Sequence, residues 1–243
     1  QLRSRARLFG TVVTALAAIP LAVLGTAAPS GAAASAGATA HSCATAKAGF
    51  ASCKALVRTD VVAAKSVAPN ATPSGYGPSS LQSAYNLPSA TAGSGRTVAI
   101  VDAYDDPTAE ADLAVYRSRY QLPPCTSANG CLRKVNQAGA ATPLPSADAG
   151  WSEEISLDLD AISAACADCK ILLVEANSPN TDDLMSAVDT AARLGAVAIS
   201  NSYGAAEDST ILAADAHLNH PGVAITASSG DGGYGVSWPA SSP

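Results

Sequence analysis

The sequence predicts an α/β protein in which a mainly parallel β-sheet carries helices on both faces. Short apolar runs alternate with stretches of helical pattern between residues 97 and 228. The runs lack polar alternation, which is typical of strands buried on both faces of a sheet. With 48% hydrophobic, 5% aromatic and 14% charged residues, the composition supplies a core and excludes a disordered acidic tail or a polytopic membrane protein.

Four apolar runs are predicted as buried strands: Thr97–Ala103, Lys170–Ala176, Ala196–Asn201 and Gly222–Ser228. Parallel sheets carry their chemistry just beyond the carboxyl ends of their strands. In this chain those ends hold Asp102, Glu175, Asn201 and the loop at Asp231.

Helices are predicted between and around these strands. The expected stretches are Thr108–Tyr120, Ser152–Ala165, Thr181–Leu194 and Ser209–Leu218. Their alternation with the strands predicts a parallel sheet, because neighbouring parallel strands need a crossover connection, which is usually a helix.

Residues 1–40 are predicted to be a signal peptide with a leader remnant. Arg3, Arg5 and Arg7 precede an apolar run over Leu8–Leu24, which is typical of a secretory signal. Pro20 interrupts that run, and it is shorter than the ~20 apolar residues that a membrane span needs. We expect a secreted, extracellular protein without stable membrane association after signal cleavage.

The remaining chain divides into a cysteine-containing N-terminal segment and linker, residues 41–75, and a main domain, residues 76–243. The formal net charge is −6. Without residues 1–40, which contain three arginines and no acid, 11 Lys and Arg face 20 Asp and Glu, a net charge of −9. A surface this acidic repels phosphate backbones, so we expect no nucleic-acid partner.

The six cysteines fall into three close pairs, Cys43/Cys53, Cys125/Cys131 and Cys166/Cys169. In an exported chain, disulfides between these neighbours are the favoured pairing, among the 15 that six cysteines allow. The Cys-x-x-Cys of the third pair leaves a redox or metal half-site open as an alternative. No second such motif with histidine partners completes a zinc site, so zinc is not expected.

The segment Trp151–Ile162 places four acids within eight positions of one predicted helix. At about 100° per residue, an apolar stripe forms with Glu154 and Asp158 beside it and with Glu153 and Asp160 on the back. The stripe consists of Trp151, Ile155, Leu159, Ile162 and Cys166. The first two acids are predicted to be a semi-buried pair, and the last two to be solvated.

Two carboxyl groups one helical turn apart cannot both ionise cheaply at a low-dielectric margin, so one of them is expected to hold a proton. A shared proton suits general acid–base catalysis. The alternative is a structural acid pair that is neutralised by cations elsewhere. A Ser-His-Asp triad lacks an obvious base, because His41 lies beside the leader, while His217 and His220 are typical of helix-end polar residues.

Several stretches resemble the sedolisin family of serine-carboxyl peptidases, which includes the kumamolisins. The match begins at Tyr76–Pro88 and extends over residues 76–243. It includes, in the family's order, Ala99–Pro107, Glu154–Asp158 (EISLD), Lys170–Ala176, Ala198–Gly204 (AISNSYG), Ala227–Gly233 (ASSGDGG) and Trp238–Pro243 (WPASSP). The resemblance implies a subtilisin-like, doubly wound α/β fold, present here as the N-terminal part of the peptidase domain.

By this resemblance, Glu154 replaces histidine as the base, Asp158 hydrogen-bonds to it and sets its pKa, and Asp231 is the oxyanion residue. A protonated carboxyl can donate a hydrogen bond to a developing oxyanion. An ordinary Asp-Gly turn is the alternative for Asp231. Asp102 and Tyr203 match positions of a supporting proton relay.

The segment Ser202, Tyr203 and Gly204 resembles the edge that pairs with extended substrate peptide. Protein or peptide substrates are therefore expected. The protein is also expected to be a monomer. The family's nucleophile lies in a Gly-Thr-Ser motif beyond Pro243, so no serine of this chain is assigned that role. Calcium is expected for a full-length protein, with its site also beyond residue 243 and no cofactor within this chain. The large prodomain usual in relatives has no room before Tyr76.

The expected function is that of a secreted acid serine-type endopeptidase, supplied here without its nucleophile and therefore inactive. A non-catalytic secreted binding protein on the same fold is the alternative. A glycosidase that uses the acid pair is disfavoured, because Trp151 and Trp238 are the only tryptophans available for sugar stacking.

Overall fold

The computed structural model describes residues 37–60, 75–207, 209 and 211–243. Residues 1–36 of the predicted signal peptide and leader remnant (residues 1–40) lie outside the described residues. No helix in the described ranges has the length and apolar character that crossing a membrane requires.

The described residues form nine strands and five α-helices. The strands are β1 (Thr39–His41), β2 (Ser52–Cys53), β3 (Leu56–Arg58), β4 (Thr97–Ala103), β5 (Leu132–Asn136), β6 (Lys170–Ala176), β7 (Ala198–Asn201), β8 (Tyr203–Gly204) and β9 (Ala224–Ala227). The helices are α1 (Pro78–Ala84), α2 (Ala109–Arg119), α3 (Ala149–Ala165), α4 (Thr181–Arg193) and α5 (Ile211–Ala214), which continues as a 3₁₀ turn over Asp215–Leu218.

A parallel sheet with the strand order β5-β6-β4-β7-β9 forms the centre of the described chain. Successive side chains of the central strand β4 enter different cores. Ile100 packs in a cluster with Leu113 of α2 and Ile155 of α3, whereas Val101 packs in a cluster with Val188 of α4. The predicted α/β class, with helices on both faces, is confirmed.

The predicted bounds of β4 and β6 agree with the structure, and β7 and β9 begin two residues later than predicted. Strand β5 (LRKVN) was not predicted, because its position at the sheet edge leaves Arg133 exposed and removes the continuous apolar signal. Helix α1 was also missed. Of the helix predicted over Ser209–Leu218, Ile211–Ala214 is α-helical and Asp215–Leu218 is a 3₁₀ turn.

Neighbouring cysteines are joined as predicted, in the disulfides Cys43–Cys53, Cys125–Cys131 and Cys166–Cys169. The third disulfide leaves neither sulfur free to bind a metal, so the metal half-site considered for Cys166 and Cys169 is excluded. Three disulfides are consistent with an oxidising compartment.

The N-terminal segment packs against the sheet domain. β1 pairs with β3, and β2 forms an antiparallel pair with β8. Further along, Phe50 bridges to Asn180 at the start of α4. The N-terminal segment therefore crosses the edge where the parallel strands end, which is where this fold class places its chemistry.

Candidate active site

Helix α3 positions the predicted acid pair. Its N-terminus is capped by Asp148, whose side chain accepts a hydrogen bond from the Trp151 amide. Trp151, Ile155 and Leu159 of the apolar stripe are buried, whereas Ile162 and Cys166 at its end are half-buried. The exposed fractions of Glu154 and Asp158 beside the stripe are only 1% and 8%. Glu153 is exposed. Helical rotation therefore predicted these three positions correctly.

The prediction that Asp160 is solvated was wrong. This side chain is half-buried, and burial, followed by the charge of Asp112 on α2, raises its pKa to about 7. The physical reason is that α2 packs along α3, which helical periodicity within α3 alone cannot reveal. Leu157, in contrast, remains 51% exposed.

Oε2 of Glu154 accepts hydrogen bonds from the backbone amides of Lys54 and Ala55, each at 2.5 Å. Burial is the main cause that raises the pKa of Glu154 to about 7, and the carboxyl group of Asp158 raises it further. The two amides oppose this rise because they favour the charged form. Glu154 is therefore a carboxyl group that can exchange a proton near neutral pH.

Asp158 is held by Ser202, whose hydroxyl donates a hydrogen bond of 2.8 Å to Oδ1. Among the described residues, Oδ2 of Asp158 has no hydrogen-bond partner. Burial raises the pKa of Asp158 to about 6, while the Ser202 hydrogen bond lowers it. The interaction of Asp158 with Glu154 in this structure is electrostatic; the hydrogen bond implied by the family resemblance stays a prediction.

Asp102 lies at the end of β4, is fully buried, and has no hydrogen-bond partner for either oxygen among the described residues. Burial raises its pKa well above the usual range, and the carboxyl groups of Asp158, Glu154 and Glu175 add to this effect. Asp102 is therefore electrostatically linked to the acid pair.

Glu175, on β6, is the register partner of Asp102. Sequence reasoning noticed it only as a strand end. It is fully buried, and burial is the main cause that raises its pKa to about 8, against the opposing charge of Lys134. Lys134 Nζ lies 3.5 Å from Glu175 Oε1 and also contacts Asp105. The signal that could have found Glu175 was an acid inside an otherwise apolar strand.

Tyr203 is fully buried, and its hydroxyl donates a hydrogen bond of 2.7 Å to Asn201 Oδ1 rather than to Asp102. Burial, followed by the nearby charge of Asp102, raises the pKa of Tyr203 well above its ordinary value. Ser202, Tyr203 and Gly204 follow β7 directly. The structure thus brings these predicted relay and edge residues to one end of the sheet.

Asp231 lies in the exposed loop after β9. Its charge contributes to the raised pKa of Glu154, which places the two carboxyl groups within electrostatic range of each other. The loop is held by a backbone hydrogen bond of 3.1 Å from Ser237 to Ser229. Gly230, with φ +114°, provides the turn that presents Asp231.

His217 and His220 both contact Asp189 on α4, at 2.7 Å and 3.0 Å. They belong to a surface cluster around that carboxylate, as expected for helix-end polar residues. Within the described ranges, no group of three or more His, Cys, Asp or Glu side chains is arranged to hold a metal ion.

No family model and no curated protein matches the chain. Among solved structures, the chain is similar to Pseudomonas sedolisin, a serine-carboxyl proteinase, in complex with two molecules of pseudo-iodotyrostatin. The sequence identity is 25% and the TM-score is 0.57, over 70% of this chain and 52% of that chain. This chain thus spans about half the length of that protein. It has the subtilisin-like α/β fold of sedolisin, as the sequence resemblance predicts.

Proposed function

We propose that this chain supplies the acid–base residues of a secreted serine-type acid endopeptidase. Glu154 is the general base, Asp158 adjusts its pKa, and Asp231 is the oxyanion residue. The observation that carries the proposal is the buried pair Glu154 and Asp158, with pKa values of about 7 and 6, at the active edge of a sedolisin-like fold.

Proton transfer follows from the position of Glu154. In the ionised form it accepts the proton of an attacking serine hydroxyl, and the serine oxygen bonds to the carbonyl carbon of the peptide. Glu154 then returns that proton to the leaving amine, and water releases the acyl group by the same route. No residue of this chain is assigned as the nucleophile.

Asp158 and Asp231 have different tasks. Asp158 penalises negative charge on Glu154 through like-charge repulsion, which raises the pKa of Glu154 and makes it a stronger acceptor for the serine proton. Asp231 donates a hydrogen bond from its carboxyl group to the developing oxyanion. Asp102 and Tyr203, both buried, are the supporting residues of the proton relay.

The edge residues Ser202, Tyr203 and Gly204 bind peptide through main-chain hydrogen bonds. The antiparallel pairing of β8 with β2 supports this, because it shows that the edge accepts an extended strand. For a longer protein we propose a calcium site beyond Pro243, and none of the steps above is routed through that ion.

The reading frame beyond the codon of Pro243 provides the first test. A Gly-Thr-Ser motif favours the peptidase, whereas an immediate stop codon favours a non-catalytic binding protein. The complete gene product should hydrolyse an unfolded protein substrate at acidic pH.

Replacing Asp231 with alanine should reduce this hydrolysis about 10²-fold or more, because the oxyanion donor is lost. Tyr234→Ala in the same exposed loop is the matched control and should leave the rate unchanged. Equal rates for wild type and Asp231→Ala would overturn the role of Asp231.

A further inference from the structure

A further buried carboxyl group, that of Glu175, lies beneath helix α3 and has no task in the mechanism proposed above. Along β6, Glu175 follows Leu173 by two positions, and Leu173 packs in one cluster with Ile155 of α3. Glu175 therefore points to the α3 face of the sheet, where its side chain is fully buried. A carboxyl group in this environment needs a cation, hydrogen-bond donors or a proton of its own.

Lys134 on β5 is the only cation that forms an ion pair with Glu175 among the described residues, and its Nζ lies 3.5 Å from Oε1. The same ammonium group donates hydrogen bonds to Oδ1 of Asp105 and, at 2.8 Å, to the carbonyl oxygen of Asp106. A hydrogen bond between an ammonium group and a carboxylate is about 2.7–2.9 Å long. Lys134 is therefore the partner of Asp105, and Glu175 lacks a cation of its own.

The two oxygens of Glu175 have different surroundings. Oε1 accepts a hydrogen bond of 3.2 Å from the amide of Asp106, whereas Oε2 has no hydrogen-bond partner in the described part of the chain. The carboxyl group of Asp105 lies within hydrogen-bonding range of Glu175. Two ionised carboxylates repel each other at this range, but a proton on one of them converts the contact into a hydrogen bond.

The loop after β4 is tied to α3 on both sides of the candidate base. The hydroxyl of Ser152 donates a hydrogen bond of 3.4 Å to the carbonyl oxygen of Asp105. The hydroxyl of Ser156 donates one of 3.2 Å to Oδ2 of Asp106. Because Glu154 lies midway between these two serines, the position of the loop is linked to the turn of α3 that carries the base.

We propose that Glu175 is a positioning residue of the candidate active site, which keeps a proton on Oε2 and donates a hydrogen bond from it to the carboxylate of Asp105. Lys134 and the amide of Asp106 hold Oε1. With the proton in place, the group of Glu175, Asp105 and Lys134 is neutral, because one cation balances one anion. The group then fixes the loop against α3. Its importance for catalysis rests on the proposed function.

Loss of this proton to solvent leaves two carboxylates beside a single ammonium group. The side chains of Lys134 and Asp105 are 23% and 14% exposed, so the proton has a short route to water. Burial is the main cause that raises the pKa of Glu175 to about 8, and the loop should lose its tight contact with α3 above that pH. The titratable groups around Glu175 are Asp102, Asp105, Asp106 and Lys134 and, beyond Asp102, Glu154 and Asp158 of α3.

Carboxyl ¹³C shifts of the 243-residue chain, followed against pH, test for the proton on Glu175. Glu175 should titrate with a midpoint near pH 8, and the amide signal of Asp106 should shift at the same midpoint. Asp160→Asn removes another carboxyl group with a raised pKa and should leave this transition unchanged. A Glu175 midpoint below its ordinary value of 4.5 would identify an ionised partner of Lys134 and would overturn the proposal.

Two substitutions of Glu175 separate positioning from burial. Glu175→Gln keeps an acceptor at Oε1 and places a donor at the position of Oε2, whereas Glu175→Leu offers neither. The amide of Asp106 should therefore show no transition near pH 8 in Glu175→Gln. A transition that persists in this variant would contradict the assignment.

The same variants of the complete gene product test the role in catalysis. At acidic pH, Glu175→Gln should retain the wild-type kcat within about threefold. Glu175→Leu should lower kcat at least about tenfold with KM unchanged, because a displaced base slows the reaction without altering the peptide-binding edge. Equal kcat values for the two variants would overturn the positioning role.

The titration of the wild-type chain requires neither a variant nor hydrolysis, so it gives an answer even if both variants fail to fold. A gene product that shows the Glu175 transition but cleaves no peptide refutes the proposed function alone. A gene product that cleaves peptide but lacks the transition refutes the role of Glu175 alone.

Discussion

The backbone amide of Ala55 donates a hydrogen bond of 2.5 Å to Oε2 of Glu154, although 99 positions separate the two residues. The pKa of Glu154 is therefore subject to opposing effects. The amides of Ala55 and Lys54 favour its ionised form, whereas burial and the charge of Asp158 favour its protonated form. Burial dominates, so the pKa lies near 7 instead of near 4.5.

Replacing Asp158 with asparagine should lower the pKa of Glu154, because it removes the like charge one turn away while keeping a side chain of similar size. Carboxyl ¹³C chemical shifts followed against pH report this value. Glu153→Gln, which changes an exposed acid on the same helix, serves as the control. A Glu154 titration that is the same in Asp158→Asn and wild type would contradict the electrostatic coupling.

Removing the Ser202 hydroxyl should raise the pKa of Asp158. Its hydrogen bond to Asp158 Oδ1 lowers the pKa of Asp158, so Ser202→Ala should raise that pKa above about 6. The same NMR titration measures the change. A decrease would show that Ser202 does not stabilise the ionised carboxylate.

Stability should decline as pH rises from about 4 to about 8. The carboxyl groups of Asp102, Glu154, Asp158, Asp160 and Glu175 all have raised pKa values in the folded state. Their stabilising contribution is complete below the unfolded pKa values near 4 and is lost as pH passes the folded values. Each retained proton contributes at most about 1.4 kcal/mol per pH unit.

Urea unfolding at several pH values measures that decline. Asp160→Asn should make it shallower, because one raised pKa is removed, while Glu153→Gln should preserve it. A free energy of unfolding that rises between pH 5 and pH 8 would be inconsistent with these protonated acids.

Gly93 should be far less tolerant of alanine than Gly95, although both have positive φ. A Cβ on Gly93 would lie 2.1 Å from Sγ of Cys166, whereas a Cβ on Gly95 meets no heavy atom within 4 Å. Gly93→Ala should therefore lower the free energy of unfolding by about 2 kcal/mol more than Gly95→Ala does. Similar losses in urea unfolding would argue against this close packing.

Arg117 is a buried cation on α2 whose side chain makes hydrogen bonds to the loop after α2, to α3 and to the loop after α3. It donates to the carbonyl oxygens of Pro123 and Ala167 and to Ser163 Oγ, at 2.6, 2.5 and 3.1 Å. Arg117→Met leaves these acceptors unpaired and should cost about 3 kcal/mol. The exposed Arg133→Met should cost much less, and equal losses in denaturant unfolding would contradict the assigned contacts.

Local patterns predicted the elements whose signals lie within one segment. The bounds of Thr97–Ala103 and Lys170–Ala176 follow from continuous apolar runs at the sheet centre. Rotation around α3 separated buried Glu154 and Asp158 from exposed Glu153. These features depend on neighbours in the chain, and sequence periodicity reports such neighbours directly.

Features made by distant contacts were missed. Edge strand Leu132–Asn136 is partly polar, and Asp160 is shielded by a different helix. The contact of Lys54 and Ala55 with Glu154 joins segments about a hundred positions apart. No local pattern in either segment encodes it, so only the folded chain reveals that the N-terminal segment enters the candidate site.

The pH profile of peptide hydrolysis by the complete gene product, with wild-type Glu154 and with Glu154→Gln, tests the assignment of the general base most directly. Glutamine cannot accept the nucleophile's proton, so kcat/KM at acidic pH should fall about 10²-fold or more, while Glu153→Gln retains the wild-type profile. Hydrolysis by Glu154→Gln at the wild-type rate would contradict the account.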